Sequence, residues 1–269
     1  MSLADIDESF ECIRVDVDEP VEGAVTIVFD RPEARNAMNE PLREETAEAL
    51  EVIEDSEVRA IVLTGSSEAA TFVAGADVED MRERSPLEQR EAGRLPRIYE
   101  RVENHPLPTV ARVNGHALGG GCELALACDI RVAESSALFG FPEVTLGLIP
   151  GGGGTQRLPR VVGHGKAMQL ILTGEMIDAT EAEDIGLVEE VADSEEFDET
   201  VADLVGSIAA NSPVALEHAK RAVQASREMG LSAGLEHEYE LFLGAFASED
   251  ASEGIAAFLE DRDPEWEGR

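Results

Sequence analysis

Apolar and polar residues alternate twice near the start of the chain, at Ile13, Val15 and Val17 and again at Val25, Ile27 and Phe29 beyond a turn at Gly23. A period of two puts every second side chain on one face, so the pattern predicts a hairpin of two half-buried strands. The period then changes. Leu42, Ala49, Leu50 and Ile53 share one face of a helix, with Asn39 as its cap and Pro41 inside its first turn. Ala60–Leu63 reads as a short buried strand ending at Thr64-Gly65, and a small-residue loop, Ser66–Asp77, follows. A helical region is broken near Pro96 and closed by Pro106 and Pro108. Strand Thr109–Val113 leads through Asn114-Gly115 and a glycine-rich turn into an apolar helix, Cys122–Ala127; Ile130–Ala133 and Ala137–Phe139 read as further short strands. The rhythm is strand, strand, helix, repeated without a fixed sequence period. Beyond about residue 195 the strand signals stop, and helices are predicted at Glu196–Ala209, Pro213–Arg227, Leu231–Phe246 and Ala251–Leu259. There Leu235, Tyr239, Phe242 and Phe246 recur at helical spacing. With so little chain left to cover such a stripe, a subunit interface is expected.

Composition narrows this picture. A length of 269 residues, 43 % of them hydrophobic, allows one large domain or a core with an appendage. No apolar run reaches the ~18 residues of a membrane span. Met1–Glu11 carries four acids and no base, which is unlike a secretory signal, so a cytoplasmic setting and no membrane partner are expected. Cys12, Cys122 and Cys128 form no CxxC pair and read as small buried hydrophobes. Charge is the outlier: the formal net charge is −36, and Lys166 and Lys220 are the only lysines. Such a surface repels itself unless salt shortens the Debye length to ~3 Å at molar concentration. The expected setting is therefore a salt-rich cytosol, most simply that of a halophilic archaeon. Nucleic acid is disfavoured as a partner.

Several chemistries lose their simplest support. Gly165-Lys166 lacks the rest of a P-loop, and no GxGxxG follows a strand. There is no GxSxG and no HExxH, and His105, His116, His164, His218 and His237 are not spaced as ligands on one helix face. What remains is three unusual segments in order: Phe72-Val73-Ala74-Gly75-Ala76-Asp77; Asn114-Gly115 through Gly119-Gly120-Gly121-Cys122-Glu123-Leu124; and Phe141-Pro142-Glu143 with Gly147-Leu148-Ile149-Pro150-Gly151-Gly152-Gly153-Gly154-Thr155. Glycine at 119–121 lets a ligand approach the backbone, and the helix that starts there turns its positive end toward it. Glu123, three residues beyond Gly120, falls on the same side of the first turn. Each piece also has an ordinary reading: a tight strand-to-helix turn, a helix-start glutamate stabilised by the dipole, and a solvated loop acid at Glu143.

Taken together, and with Asp30-Arg31-Pro32, Arg35-Asn36-Ala37, Glu253-Gly254 and Ala257-Phe258-Leu259, these segments resemble the crotonase (enoyl-CoA hydratase/isomerase) superfamily over nearly the whole chain. The resemblance implies an α/β fold: a ββα spiral core over residues 1–195 and a C-terminal α-helical trimerisation domain over 196–269. It implies a homotrimer or a dimer of trimers, an acyl-CoA thioester substrate, and no metal or cofactor beyond the coenzyme A of the substrate. The implied activity is reversible hydration of a trans-2-enoyl-CoA. By resemblance, Glu123 and Glu143 are the catalytic carboxylates and the N–H groups of Ala76 and Gly120 form the oxyanion hole. Ala74, Asp77, Val78 and Gly151 fall among the implied substrate-binding positions, and Met81 and Leu87 are candidates for the acyl pocket. Alternatives are an enoyl-CoA isomerase, a specialised 3-hydroxyacyl-CoA dehydratase, or a silent assembly or RNA-binding member. Two glutamates favour the hydratase. The chain also departs from the pattern. Glu79 stands where many relatives carry lysine, and the tail reads Phe258-Leu259-Glu260-Asp261-Arg262-Asp263-Pro264, with acids in place of bases. Arg31, Arg35, Lys166 and Arg262 are what remain to meet the CoA phosphates.

Overall fold

The computed structural model describes residues 10–54 and 56–269; the acidic segment 1–9, read above for targeting, lies outside the described residues. The expected hairpin forms: β1 (Ile13–Val17) and β2 (Ala24–Phe29) pair antiparallel, Ile13 opposite Phe29. β2 is buried at every position rather than at alternate ones, because a second layer covers its outer face. Asn39 caps α1 (Glu40–Glu54), its Oδ1 accepting the Leu42 N–H at 3.0 Å. The buried face of α1 holds Leu42, Ala49, Leu50 and Ile53 as expected.

β3 (Ala60–Gly65) runs parallel to β2. The segment 66–77, expected as loop, contains a strand, β4 (Thr71–Val73), too short for alternation to reveal it. Three helices follow, α2 (Val78–Glu83), α3 (Pro86–Ala92) and α4 (Ile98–Glu103). The next turn comprises β5 (Thr109–Val113), β6 (His116–Leu118) and α5 (Gly120–Ala127). After β7 (Ile130–Glu134) and β8 (Leu138–Gly140), a 3₁₀ turn spans Pro142–Leu146. α6 (Gly154–Val161), α7 (His164–Thr173), β9 (Met176–Asp178), α8 (Ala179–Asp184) and β10 (Glu190–Ala192) complete this part.

One sheet has the order β1-β2-β3-β5-β7-β10 and the other β4-β6-β8-β9. The strand pairs β3/β4, β5/β6 and β7/β8 each send their first strand to the larger sheet and their second to the smaller one. This is the spiral core that the family resemblance implies. Val25, Ile27, Phe29, Ile61 and Leu63 face inward onto Phe72, Phe139 and Phe141. The outer face of the larger sheet, Ala24, Ala60, Val62, Val110 and Val132, is sealed by Phe197, Val201 and Val205 of α9 (Phe197–Ala209). The boundary expected near residue 195 would fall between β10 and a helix that shares the sheet's core. Beyond it, α10 (Pro213–Ala225) has no fully buried residue, and α11 (Leu231–Phe246) buries only Leu241. α12 (Glu249–Glu260) carries the buried Asp250, which accepts hydrogen bonds from Ser212 Oγ and from the Glu267 and Gly268 N–H groups and so ties down the tail. All three cysteines are buried. Among the described residues no helix is long and apolar enough to cross a membrane.

Candidate active site

Two asparagines hold the backbone on which the site is built. Buried Asn36 donates from Nδ2 to the Thr71 and Phe72 carbonyls at 2.8 and 3.2 Å, while its Oδ1 accepts the Arg31 N–H at 2.9 Å. Asn114 donates to the Gly65 carbonyl at 2.7 Å and accepts the Gly65 N–H at 3.1 Å, which locks the β5–β6 turn to the end of β3. The segment after β4 is then caught by Met38, whose N–H donates to the Gly75 carbonyl at 2.8 Å and whose carbonyl accepts the Asp77 N–H at 3.2 Å. In such a parallel bridge the flanking residues supply both bonds, so the N–H of Ala76 itself points elsewhere.

Across from it, Gly119 takes φ 50° and ψ −120° and α5 begins at Gly120. The first N–H groups of a helix have no partner within it. Among the described residues neither the Gly120 nor the Ala76 N–H has an acceptor. Glycine is required for the close approach: a Cβ on Gly121 would lie 1.9 Å from the Val73 carbonyl oxygen. A Cβ on Gly120 would lie 3.5 Å from the Ala76 nitrogen. Two unengaged donors therefore stand side by side at the positive end of α5.

Glu123 is 2 % exposed. Its Oε1 accepts the N–H groups of Gly152 and Gly154, both at 2.7 Å, so the carboxylate is committed to the 150–154 loop and does not cap its own helix. Among the described residues Oε2 has no donor. Burial raises the Glu123 pKa, and the two N–H bonds oppose that rise. Glu143 is not a solvated loop acid. Its Oε2 is buried without a hydrogen-bond partner among the described residues, and its Oε1 lies 3.0 Å from where a Cβ on Gly119 would stand. Burial, with the charge of Glu123 adding to it, pushes its pKa up to about 7 against a hydrogen bond from its own backbone. The two carboxylates thus meet the start of α5 from different elements. In Glu123 two N–H bonds oppose the effect of burial, whereas Glu143, raised to about 7, retains its proton up to that pH.

Residues the sequence did not single out complete the site. Arg97 donates from Nη1 to the Gly151 carbonyl and pairs with Glu100 at 2.6 Å. Arg157 donates to the Gly152 carbonyl at 2.8 Å and grips Glu103 at 2.5 and 3.1 Å. Tyr99 of α4 is buried against both glycine stretches. Arg157 follows directly on the glycine-rich run as Thr155-Gln156-Arg157 and could have been reached by extending that run; nothing local marks Arg97 or Tyr99.

The expected ligand contacts are placed unevenly. The N–H groups of Ala74 and Asp77 are spent on the Arg35 and Met38 carbonyls, so any backbone donor in this segment must come from elsewhere. Asp77 caps α2 and pairs with Arg31 at 3.3 Å, so its side chain is spent on the loop. Val78 and Leu87 are exposed. Of the four basic candidates, Lys166 is taken by Glu181 at 2.6 Å, and Arg262 by Glu253 and Glu260 at 2.5 and 2.8 Å. That leaves exposed Arg35 with no carboxylate partner among the described residues. A depression of about 1040 Å³ opens elsewhere, beside Arg14, Thr64, Ser66, Arg112 and Asp198, and includes none of the site residues.

The family described as enoyl-CoA hydratase/isomerase matches residues 19–269. The chain is 45 % identical over 244 residues to the short-chain-enoyl-CoA hydratase of Clostridium acetobutylicum, covering 90 % of this chain and 93 % of that one. It is 43 % identical over 244 residues to the 2,3-dehydroadipyl-CoA hydratase of Escherichia coli, covering 90 % and 94 %. The crystal structure of the enoyl-CoA hydratase from Bacillus anthracis superposes with a TM-score of 0.90 at 39 % identity, over 96 % of this chain and 100 % of that one.

Proposed function

The chain belongs to the enoyl-CoA hydratase/isomerase family, and on that premise we propose that it hydrates 2-enoyl-CoA thioesters with Glu123 and Glu143 as its proton-transfer pair. The observation that carries this reading is the unequal pair of buried carboxylates at the start of α5, beside two unengaged N–H groups.

The thioester oxygen accepts hydrogen bonds from the Ala76 and Gly120 N–H groups, which are fixed before the substrate arrives and stabilise the enolate as it forms; losing one such donor costs ~3–4 kcal/mol. Ionised Glu123 takes one proton from water through Oε2 while the water oxygen bonds C3. The other water proton stays on the new hydroxyl. Glu143 gives its proton to C2, and the enolate electrons form that C–H bond as the carbonyl is restored. The reverse reaction starts with the proton on Glu123 and Glu143 ionised. Every step needs one proton shared by the pair. No metal or organic cofactor enters. An isomerase moves a proton within the substrate and has no use for a second carboxylate holding water, so the pair favours hydration.

The same reading makes the chain a trimer or a dimer of trimers through its C-terminal helices. Crotonyl-CoA tests the function. In molar KCl the conjugated-thioester absorbance should fall as 3-hydroxybutyryl-CoA appears, and absence of turnover by the folded protein contradicts the assignment.

A further inference from the structure

Tyr99 is a buried polar group beside the site that the mechanism above leaves unused. It lies on α4 and is 9 % exposed, with the Arg97 guanidinium 5.7 Å from its ring centroid. A Cβ on Gly152 would stand 2.4 Å from Tyr99 Cζ and 2.5 Å from Glu123 Oε2. The phenol and the uncommitted oxygen of the base therefore converge on one glycine. From the other side, a Cβ on Gly120 would stand 2.9 Å from Tyr99 Oη. The hydroxyl is thus set between the start of α5 and the glycine loop.

Buried tyrosine hydroxyls ordinarily find a partner. This one makes no hydrogen bond to any described residue, and it is not among the sealed, unpartnered atoms, so it keeps some accessible surface. Burial, and after it the charge of Glu123, pushes the phenol pKa up against a smaller pull from Arg43 and Arg97. The group therefore keeps its proton and remains a donor across the working range.

We propose that Tyr99 is a positioning residue for the attacking water, its O–H donating to one lone pair of the oxygen whose proton Glu123 Oε2 accepts. The second lone pair is then left facing C3. The phenol is neither consumed nor ionised, so the balance of the reaction is unchanged. This inference rests on the hydratase reading, and wild-type turnover of crotonyl-CoA tests that reading separately.

Tyr99→Phe keeps the ring and removes only the donor. In molar KCl its kcat should fall about tenfold, as expected for one lost hydrogen bond in the transition state. KM for crotonyl-CoA and Ki for butyryl-CoA, which binds without using the water, should stay within about twofold because ground-state binding is untouched. 4-Aminophenylalanine at position 99 restores a donor and should recover most of kcat. 4-Methylphenylalanine, equal in size but without a donor, should not, and this pair decides the matter if the Phe variant fails to fold. Unchanged kcat in the donor-less proteins overturns the proposal. So does a rise in KM and Ki at constant kcat, which would place the hydroxyl on the acyl chain, or a loss that the amine does not restore.

Discussion

Arg157 donates from Nη1 to the carbonyl oxygen of Gly152 at 2.8 Å. The Gly152 N–H donates to Glu123 Oε1 at 2.7 Å, so one glycine is anchored on both sides, by a cation at its carbonyl and by the base at its N–H. Arg157 is in turn fixed by Glu103. Arg157→Met should cost about 1.5–3 kcal/mol, typical of a lost hydrogen bond to a charged group. It should also lower kcat by ~10- to 100-fold through misplacement of Glu123. Denaturant titration and steady-state kinetics in molar KCl check both. Lost stability with unchanged kcat would separate the loop from the chemistry.

The pH profile follows from the unequal carboxylates. Glu143 is raised to about 7, so a proton donor at this position is lost as pH rises through that value, and hydration should fall on the alkaline side. Glu123 is raised above the ordinary glutamate range by burial, so the base is neutralised on the acid side earlier than an exposed glutamate would be. The kcat/KM for crotonyl-CoA should therefore be bell-shaped, each limb belonging to the coupled pair rather than to one residue. A rate that stays flat from roughly pH 6 to 9, the range in which such groups titrate, contradicts the assignment of roles.

Salt should support both fold and activity. A net charge of −36 with only two lysines repels itself most when the Debye length is long, ~30 Å at 0.01 M. Melting temperature and kcat/KM should both rise with KCl over roughly 0.05–3 M, the range in which screening changes most. Curves that are flat across this range would remove the halophilic reading.

The C-terminal helices should be covered by other copies of the chain. Tyr239, Phe242 and Phe246 are exposed and stack along α11 with centroids 6.1 and 5.9 Å apart; Leu235, Phe258 and Leu259 are also exposed. Light scattering in high salt should give a trimer or a multiple of it, and Phe242→Glu should dissociate it. A monodisperse, active wild-type monomer would refute the interface.

Much of this was legible in the chain. Apolar alternation located β1 and β2, a short apolar run located β3, and the Asn39 cap located α1. The three-residue strands β4, β6 and β9 were hidden, because such segments show no period until a neighbouring strand pairs with them. The site divides in the same way. Glu123, Glu143, Ala76 and Gly120 stood within dense local motifs. Tyr99, Arg97 and Arg157 gain their meaning only where α4 and α6 meet the glycine loop, a relation of tertiary packing that no spacing encodes. Burial likewise decided between the readings of Glu143, since a loop acid after proline looks solvated until its oxygen is seen buried without a partner.

The central claim is that the two glutamates divide the proton transfers of one hydration, and replacing each by glutamine tests it most directly. Glu123→Gln retains an amide oxygen to accept the Gly152 and Gly154 N–H groups, so the loop should hold while the base is lost. Glu143→Gln removes the donor to C2. Each single variant should lose ~10²–10⁴-fold in crotonyl-CoA hydration, and the double variant far less than the product, because the residues act as a unit. Calorimetric affinity for butyryl-CoA should change little, since the Ala76 and Gly120 donors are untouched. Near-normal hydration by either single variant would contradict the two-glutamate mechanism and leave only the fold standing.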